Sequence, residues 1–256
     1  MKRLTTILAS IISLAAFGQD TLKTEGAREF KRMMFGVNSS PDYCYRTLKN
    51  NGGNAMASTV FDIRNSSEEY KIDYTAGLNA CYNFSERFGI ELGVQYSNKG
   101  YTYKMSDLSF GDLIGSGNGI VYSTPTGQVP VEAKYRYNFI YLDVPARAIF
   151  YLGTKKVRFV ASVGVTTNIL LKATLTSVSE YEDGNTKRET YDQEYDFKSL
   201  NVSPTISAGL DYSINNKLNL RAEPTFRYGL IEIIDAPITA YLWNAGMNIT
   251  CYYALK

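Results

Sequence analysis

The chain has 256 residues, of which 45% are hydrophobic, so it suits one large all-β domain or two small domains rather than a disordered tail. Its formal net charge of +2 indicates no concentrated basic surface for nucleic-acid phosphates. Histidine is absent, which excludes the histidine-activated serine and histidine–carboxylate arrangements of many hydrolases. We therefore expect no enzymatic activity, no cofactor and no metal site.

The first segment, MKRLTTILASIISLAAFGQ, predicts a secretory signal peptide. Lys2 and Arg3 precede a short apolar run that ends in small residues near Gly18. The alternative is a membrane anchor, but this run is too short to span ~30 Å of hydrocarbon. No later run reaches about 18 apolar residues, so a membrane-embedded mature chain would have to be a closed barrel. The predicted organisation is a signal peptide at 1–19, an N-terminal periplasmic segment at 20–32 and a barrel domain at 33–256.

Alternation of apolar and polar residues predicts strands along the rest of the chain. It is clearest in Phe88–Lys99, Leu200–Tyr212 and Leu218–Leu230, where every second side chain is apolar. Five further segments fit less cleanly and bring the count to eight strands; they lie near 33–45, 70–84, 135–152, 157–178 and 241–255. Three prolines within these strands argue against central positions in a sheet, because each removes a ladder donor. They are Pro145, Pro204 and Pro224.

The predicted connections alternate between short and long. The short ones lie at 85–87, 153–156 and 215–217, and the long ones at 46–69, 104–134, 179–197 and 233–240. Barrels of the outer membrane have short periplasmic turns and longer extracellular loops. The prediction is therefore an all-β, eight-stranded antiparallel transmembrane β-barrel in the outer membrane, with both termini in the periplasm. A soluble periplasmic barrel is the alternative.

Three segments carry a resemblance to a known family. NFSERFGIELGVQYSNKGY, YLDVPARAIFYLG and LNLRAEPTFRYGL resemble the PorT-type outer-membrane β-barrel family of Bacteroidetes-like bacteria. The motifs are a strand–turn–strand around Ser85 to Phe88, and an inward acidic residue followed by proline at Asp143 and Pro145. The resemblance covers about residue 33 to the end of the chain and implies the barrel fold. One branch of the family takes part in protein secretion, but no motif in this chain selects that branch.

The last strand resembles the terminal insertion signal of such barrels. The pattern is polar-x-Gly-x-x-apolar-x-apolar, and it falls on Asn244, Gly246, Ile249 and Cys251. Family members usually have an aromatic residue at the last position. Cys251 departs from that preference, although Tyr253 follows in phase.

The polar faces of the predicted strands carry both signs of charge. In a barrel of about eight strands the interior is just wide enough for side chains, so charges there must pair. We expect a structural charge network in the lumen that includes Glu91, Asp143, Arg147, Arg158, Asp211, Arg221, Glu223 and Arg227. Asp73, Lys99 and Lys172 fall on the same polar faces. A binding or proton-transfer site among Glu91, Asp143, Arg221 and Glu223 is the alternative.

Two functions remain open. The first is a scaffold whose extracellular loops bind a partner or envelope component, because function concentrates on loops carried by rigid frameworks. The second is a narrow channel or transporter for small solutes, which the crowded lumen disfavours. The expected partners are outer-membrane lipid, the outer-membrane assembly machinery, and envelope or secretion proteins, with no nucleic acid. All three cysteines are expected to be free, with Cys81 facing inward, Cys251 facing outward and Cys44 near the far rim.

Overall fold

The computed structural model describes residues 30–106, 130–181, 184–193 and 196–255. These residues form one antiparallel sheet and a single helix, whereas the predicted signal peptide lies outside the described part of the chain. In chain order the elements are β1 (Met33–Asn50), α1 (Ala55–Ser67), β2 (Glu68–Glu69), β3 (Lys71–Asn83), β4 (Phe88–Ser106), β5 (Pro130–Leu152), β6 (Val157–Tyr181), β7 (Thr186–Asp192), β8 (Leu200–Ser213), β9 (Leu218–Tyr228) and β10 (Ile238–Leu255).

Eight of the strands close into a ring. The order is β4-β3-β1-β10-β9-β8-β6-β5, and the pairing of β4 with β5 joins the two ends. The first and last strands pair with each other from Met33↔Leu255 to Asn50↔Ile238. The predicted eight-stranded antiparallel barrel is therefore confirmed, with the short strands β2 and β7 added at one end of the ring.

The wall of the barrel is apolar outside and polar inside. In β8, for example, Ile206 and Leu210 are more than half exposed, whereas Thr205, Ser207 and Asp211 are buried. The burial pattern alternates residue by residue in β1, β8 and β9. A soluble barrel would bury the apolar face, because that face leaves water most favourably. This inverted pattern is the one that a closed sheet surrounded by lipid requires.

Two groups of aromatic rings border the apolar band. At the end with the short turns, Phe88 lies 5.8 Å from Phe84 and 5.1 Å from Phe150 between ring centroids. At the opposite end, Tyr43 stacks on Tyr70 at 4.4 Å and on Trp243 at 5.8 Å. Girdles of aromatic residues flank the apolar band of outer-membrane barrels at both interfaces. These two groups of rings therefore mark the two ends of the apolar band.

β4, β5 and β6 continue beyond this band and, together with β7, form a part that we call the extension. It consists of residues 100–106, 130–138, 172–181 and β7, and it lies at the end opposite the short turns. β5 and β6 have 23 and 25 residues, whereas about 9–11 residues span a membrane as a tilted strand. β7 replaces β8 as the neighbour of β6 there, from Thr174↔Asp192 to Glu180↔Thr186. The extension is thus an open sheet carried on a closed barrel.

The long connection 46–69 is not only a loop. It contains α1, which Asn54 caps by accepting a hydrogen bond from the Ala57 amide at 2.8 Å on its side-chain oxygen. The capping residue followed by Ala-Met-Ala is a local helix signal that strand alternation overlooks. Among the described residues, no helix has both the length and the apolar character needed to cross a membrane.

The three prolines lie in strands that have neighbours on both sides, contrary to the expectation from their missing amide protons. A closed ring has no edge strand to receive them. The β4–β5 register is interrupted beside Pro145, between Leu92↔Ala146 and Gln95↔Asp143. The β8–β9 register is likewise interrupted beside Pro224, between Ser207↔Thr225 and Leu210↔Ala222, and Pro204 lies just beyond the last pair of that ladder, Thr205↔Arg227. Each of the three prolines therefore lies where one of its two ladders is interrupted or has ended.

The cysteines support a direct test of which faces point inward. All three lie in described strands and are free: Cys44 and Cys81 are buried on the lumen face, and Cys251 is exposed on the outer face. We expect a lipid-soluble maleimide to modify one thiol of the folded barrel rapidly and all three after denaturation. Intact-mass spectrometry gives the count, and a Cys251→Ser variant should leave no rapidly modified thiol. Rapid modification of two or more thiols would contradict these strand registers.

Candidate functional site

The lumen is filled by a central cluster of charged residues around Glu91. The Glu91 carboxylate pairs with Arg147 through one oxygen and lies 3.0 Å from Nη1 of Arg221 through the other. It also accepts a hydrogen bond from the Tyr252 hydroxyl, while Nη2 of Arg221 donates to the Tyr151 hydroxyl at 2.6 Å. Glu91, Arg221 and Tyr252 are at most 1% exposed. This one carboxylate therefore pairs with two buried guanidinium groups.

The central cluster continues through Glu223 and Asp211. Glu223 lies 3.6 Å from Arg147 and accepts a hydrogen bond from Ser207 at 2.8 Å. Asp211 lies 2.9 Å from Arg158 and 4.0 Å from Arg221. The structure therefore brings together Arg221 and Glu223 in one network, but through Glu91 and Arg147 rather than by direct contact.

A second lumen cluster surrounds Asp42, a residue that the sequence analysis missed. Its carboxylate accepts hydrogen bonds from Ser40 and Thr75 at 2.5 Å and from Asn244 at 2.8 Å. Arg227 lies 3.8 Å away. The alternation of β1 placed Asp42 on a polar face with Asn38 and Ser40, but the neighbouring strands that supply its donors could not be known without the registers.

A third lumen cluster surrounds Asp143. Its carboxylate lies 2.9 Å from Nζ of Lys99 and accepts hydrogen bonds from Ser97 at 2.8 Å and Asn168 at 2.6 Å. The side chain is fully buried. The carboxylates of Glu91, Asp42 and Asp143 are thus paired and hydrogen-bonded, as the burial of charge requires. Among the described residues, Glu223 Oε2, Arg221 Nε and the Nε and Nη1 atoms of Arg227 have no hydrogen-bond partner, so these clusters are only partly satisfied.

One predicted lumen charge lies elsewhere. Lys172 is half exposed and pairs with Asp192 at 2.8 Å, because the register of β5 and β6 shifts at the pairs Ile140↔Lys172 and Tyr141↔Leu170. The shift is a β-bulge, and one extra residue moves every following side chain to the other face. Asp73 stays on the lumen face and pairs with Lys71 at 2.8 Å.

Apolar clusters close the lumen at both ends. At the end with the short turns, the cluster consists of Met34, Cys81, Ile149, Tyr151, Val160, Tyr252 and Ala254. At the other end it consists of Tyr101, Phe139, Tyr141, Ala173, Ile233, Ala240 and Leu242, with Phe197 packed against it. Ile233 and Phe197 come from the segments that precede β10 and β8. Connecting segments therefore fold back over the lumen instead of leaving it open.

Ion pairs connect the C-terminal end of α1 to the rim of the barrel. Glu68 lies 2.6 Å from both Arg46 and Arg64, and Arg46 also donates to the Arg64 carbonyl at 2.8 Å. Arg64 donates to the Tyr101 hydroxyl at 3.3 Å. Burial lowers the pKa of Arg64, but the hydrogen bond and charge of Glu68 outweigh it and leave that pKa above its ordinary value. The helix is thereby held against the mouth of the lumen.

The inward face of the extension is rich in tyrosine. Tyr101 stacks on Tyr137 at 4.8 Å, and the rings of Tyr103 and Tyr135 lie 6.3 Å apart one row further out. Tyr191 of β7 is 49% exposed and donates to Glu189 at 2.6 Å, which lowers the pKa of that carboxyl together with Lys187. Cross-strand aromatic pairs stabilise sheets, and half-exposed tyrosines also bind partners well.

The sequence profile described as "Outer membrane protein beta-barrel domain" matches residues 34–235. The chain belongs to this family. It is an integral outer-membrane β-barrel protein, and the apolar outer band is the surface that faces lipid. The comparison with curated proteins gives no match.

Solved outer-membrane barrels resemble this barrel at low identity. OprG from Pseudomonas aeruginosa is 12% identical, with a TM-score of 0.48, 90% of this chain covered and 99% of that chain. AlkL, solved in DMPC lipid bilayers, is 12% identical, with a TM-score of 0.42 and coverage of 94% and 97%. Ail of Yersinia pestis, the attachment invasion locus protein, is 11% identical, with a TM-score of 0.36 and coverage of 87% and 99%. Likeness at this level carries no information on ligand or partner.

The terminal pattern on β10 divides between the two faces of the wall. Asn244 contacts Asp42 in the lumen, and Gly246 lies opposite Asp42 in the β1–β10 ladder. A Cβ atom at Gly246 would lie 1.8 Å from a carboxylate oxygen of Asp42, so the position has no room for a side chain. Ile249 and Cys251 face lipid. The role of this terminal pattern in membrane insertion stays a prediction.

Proposed function

We propose that this outer-membrane barrel is a scaffold that presents the extension and α1 to an extracellular partner. The observation that carries the proposal is the filled lumen: three clusters of buried, paired charges lie between two apolar clusters. An interior occupied by side chains in this way supports a rigid wall and disfavours the passage of solutes. The surfaces that remain for binding are those beyond the lipid band.

The orientation is part of the proposal. The short turns at 84–87, 153–156 and 214–217 lie at one end of the barrel, together with Met33, where β1 begins, and Leu255, where β10 ends. The extension lies at the opposite end. Loop length in such barrels is sorted by side, which supports placing the extension outside the cell. Export through a cleaved signal at 1–19 belongs to the same proposal.

The partner that we propose is an envelope component, either a protein or a polysaccharide. The half-exposed tyrosines of the inward face offer flat, amphipathic area with little side-chain entropy to lose. The resemblance to PorT-type barrels supports an envelope or secretion protein, although no residue of the described chain selects the secretion branch.

Tags at the two ends test the orientation. A peptide tag inserted beside Gly184 should be bound by antibody on intact cells, because Gly184 has a positive φ of 77° and no atom of the described residues within 4 Å of its Cβ position. The same tag beside Asn216 should be bound only after the outer membrane is permeabilised. The reverse labelling pattern would refute the orientation.

Removal of the tyrosine face tests the partner. A variant with Tyr103, Tyr135 and Tyr191 changed to serine should insert normally and lose the neighbours that proximity labelling identifies around the wild-type barrel. The control changes Tyr82 and Tyr212, two exposed tyrosines near the short turns and outside the terminal pattern of β10, to serine. Unchanged neighbours in the first variant, or equal loss in both, would contradict binding by the tyrosine face.

A further inference from the structure

The end of the barrel with the short turns carries a regular set of basic residues. Every ring strand that starts at this end is immediately preceded by a lysine or an arginine. These strands are β1, β4, β6 and β9, which alternate with the other four strands around the ring. The preceding residues, which we call the basic belt, are Arg32, Arg87, Lys156 and Lys217, and all four are exposed. The belt therefore places one cation at every second strand around the barrel.

The charge of the basic belt is not balanced by the neighbouring turns. The described segments at this end are 30–32, 84–87, 153–156 and 214–217. Glu86 is the one acidic residue in these four segments, whereas Lys155 adds a further exposed cation. Within these described segments, no member of the belt forms an ion pair. The rim is therefore a surface of one predominant sign, unlike the extension, where Glu132 and Glu180 lie among the cations.

The basic belt lies directly beside the end of the apolar band. Arg87 adjoins Phe88, which belongs to the aromatic group at this end, and Lys156 adjoins Val157, which is 50% exposed. One residue of a strand tilted by about 40° rises roughly 2.5 Å along the membrane normal. The headgroup layer of a bilayer is about 5–8 Å thick on each side. The belt therefore lies at the level of the phospholipid headgroups.

A cleft at one position of the basic belt provides a shaped site. It has a volume of about 500 Å³ and is lined by Asn215, Asn216, Lys217, Leu218 and Tyr253. Oδ1 of Asn215 accepts hydrogen bonds from the backbone amides of Lys217 and Leu218, both at 2.8 Å. The Ala254 amide donates to the Lys217 carbonyl at 2.7 Å, which ties the turn to the end of β10. The cleft thus combines a cation and amide groups with apolar surface on a fixed backbone.

We propose that the basic belt selects anionic phospholipids from the leaflet around the short turns, and that the cleft binds one of their headgroups. Guanidinium and ammonium groups pair with phosphate oxygens, and each cation near an anionic lipid surface adds attraction. Leu218 and Tyr253 offer apolar surface to the part of the lipid next to its headgroup. A zwitterionic headgroup binds less well, because its own cation meets the positive rim. The inference goes beyond the proposed function, which concerns the opposite end of the barrel.

Lipid retention from mixed nanodiscs tests the selection. The discs contain phosphatidylglycerol and phosphatidylcholine with the same acyl chains, in equal amounts and in both leaflets, so the orientation of the barrel does not affect the result. Native mass spectrometry counts the lipids that the extracted barrel retains. The wild-type barrel should retain phosphatidylglycerol over phosphatidylcholine by at least about fivefold. High salt during extraction should reduce this preference.

The decisive variant changes the four residues of the basic belt to glutamine and should lose the preference. The matched control removes the same number of lysines and arginines, all exposed, at the opposite end and should keep it; the changed residues are Lys49, Arg136, Arg188 and Lys198. Lys217→Gln alone should weaken the preference more than Lys155→Gln, because Lys217 lines the cleft and Lys155 does not.

Three outcomes would overturn the inference. They are equal loss in the two fourfold variants, no preference in the wild type, and equal effects of Lys217→Gln and Lys155→Gln. Binding of the wild type to purified peptidoglycan that depends on the belt, in place of any lipid preference, would assign these cations to the cell wall and would equally contradict it.

Discussion

Replacement of Glu91 by glutamine is expected to destabilise the barrel by about 3–5 kcal/mol, because it removes one partner from a buried ion network. The Glu91 carboxylate is the closest counter-charge of both Arg147 and Arg221. After the change, the acidic groups that remain within 4.0 Å among the described residues are Glu223 for Arg147, at 3.6 Å, and Asp211 for Arg221, at 4.0 Å. Urea unfolding from lipid bilayers measures the difference in the free energy of unfolding.

Two further variants test whether the loss of stability depends on the burial of the carboxylate and on its number of ion pairs. Glu223→Gln should destabilise less than Glu91→Gln, because Glu223 has one ion pair at 3.6 Å and one hydrogen bond from Ser207. Glu132→Gln breaks an ion pair of similar length that is partly exposed, and should change stability by about 1 kcal/mol at most. Equal effects of Glu91→Gln and Glu132→Gln would mean that water reaches the lumen network.

Alternation was sufficient to predict the wall of the barrel. A strand has a period of two, so the face of each side chain follows from sequence position once one face is assigned. The structure accordingly places Glu91, Asp143, Arg147, Arg158, Asp211, Arg221, Glu223 and Arg227 in the lumen, buried. The same reasoning assigned Cys251 to lipid and Cys81 to the lumen.

Contacts across strands were beyond that reasoning. Arg221 and Glu223 are neighbours in sequence, but Arg221 pairs with Glu91, which is 130 residues away. Which strands adjoin, and in which register, decides such partners. Lys172 was assigned to the wrong face because a single inserted residue in β6 reverses the alternation beyond it.

Part of the extension was beyond the reach of alternation. The predicted strands ended near residues 99 and 178 and began near residue 135, so residues 100–106, 130–134 and 179–181 and all of β7 were placed in connections. Above the lipid band both faces of a strand meet water, so the contrast between alternate positions weakens while backbone pairing continues. Tyr103 and Tyr135 belong to that part of the sheet. The features that we propose to bind partners therefore lie where hydrophobic pattern is least informative.

The alternative function, a narrow channel, makes an opposite prediction about the lumen. An ion that crossed it would have to displace Arg147 or Arg221 from Glu91 and then pass the apolar clusters at both ends. Each displaced charge would lose partners in a low-dielectric interior, which costs several kcal/mol. Passage on the time scale of channel conduction is therefore not expected in the folded state.

Single-channel recording in planar bilayers tests the sealed lumen most directly. The folded barrel, inserted at a density verified by protein assay, should produce no stepwise conductance above the lipid baseline in about 1 M salt, where the Debye length is about 3 Å. Regular conductance steps from the wild-type barrel would contradict the account and favour the channel.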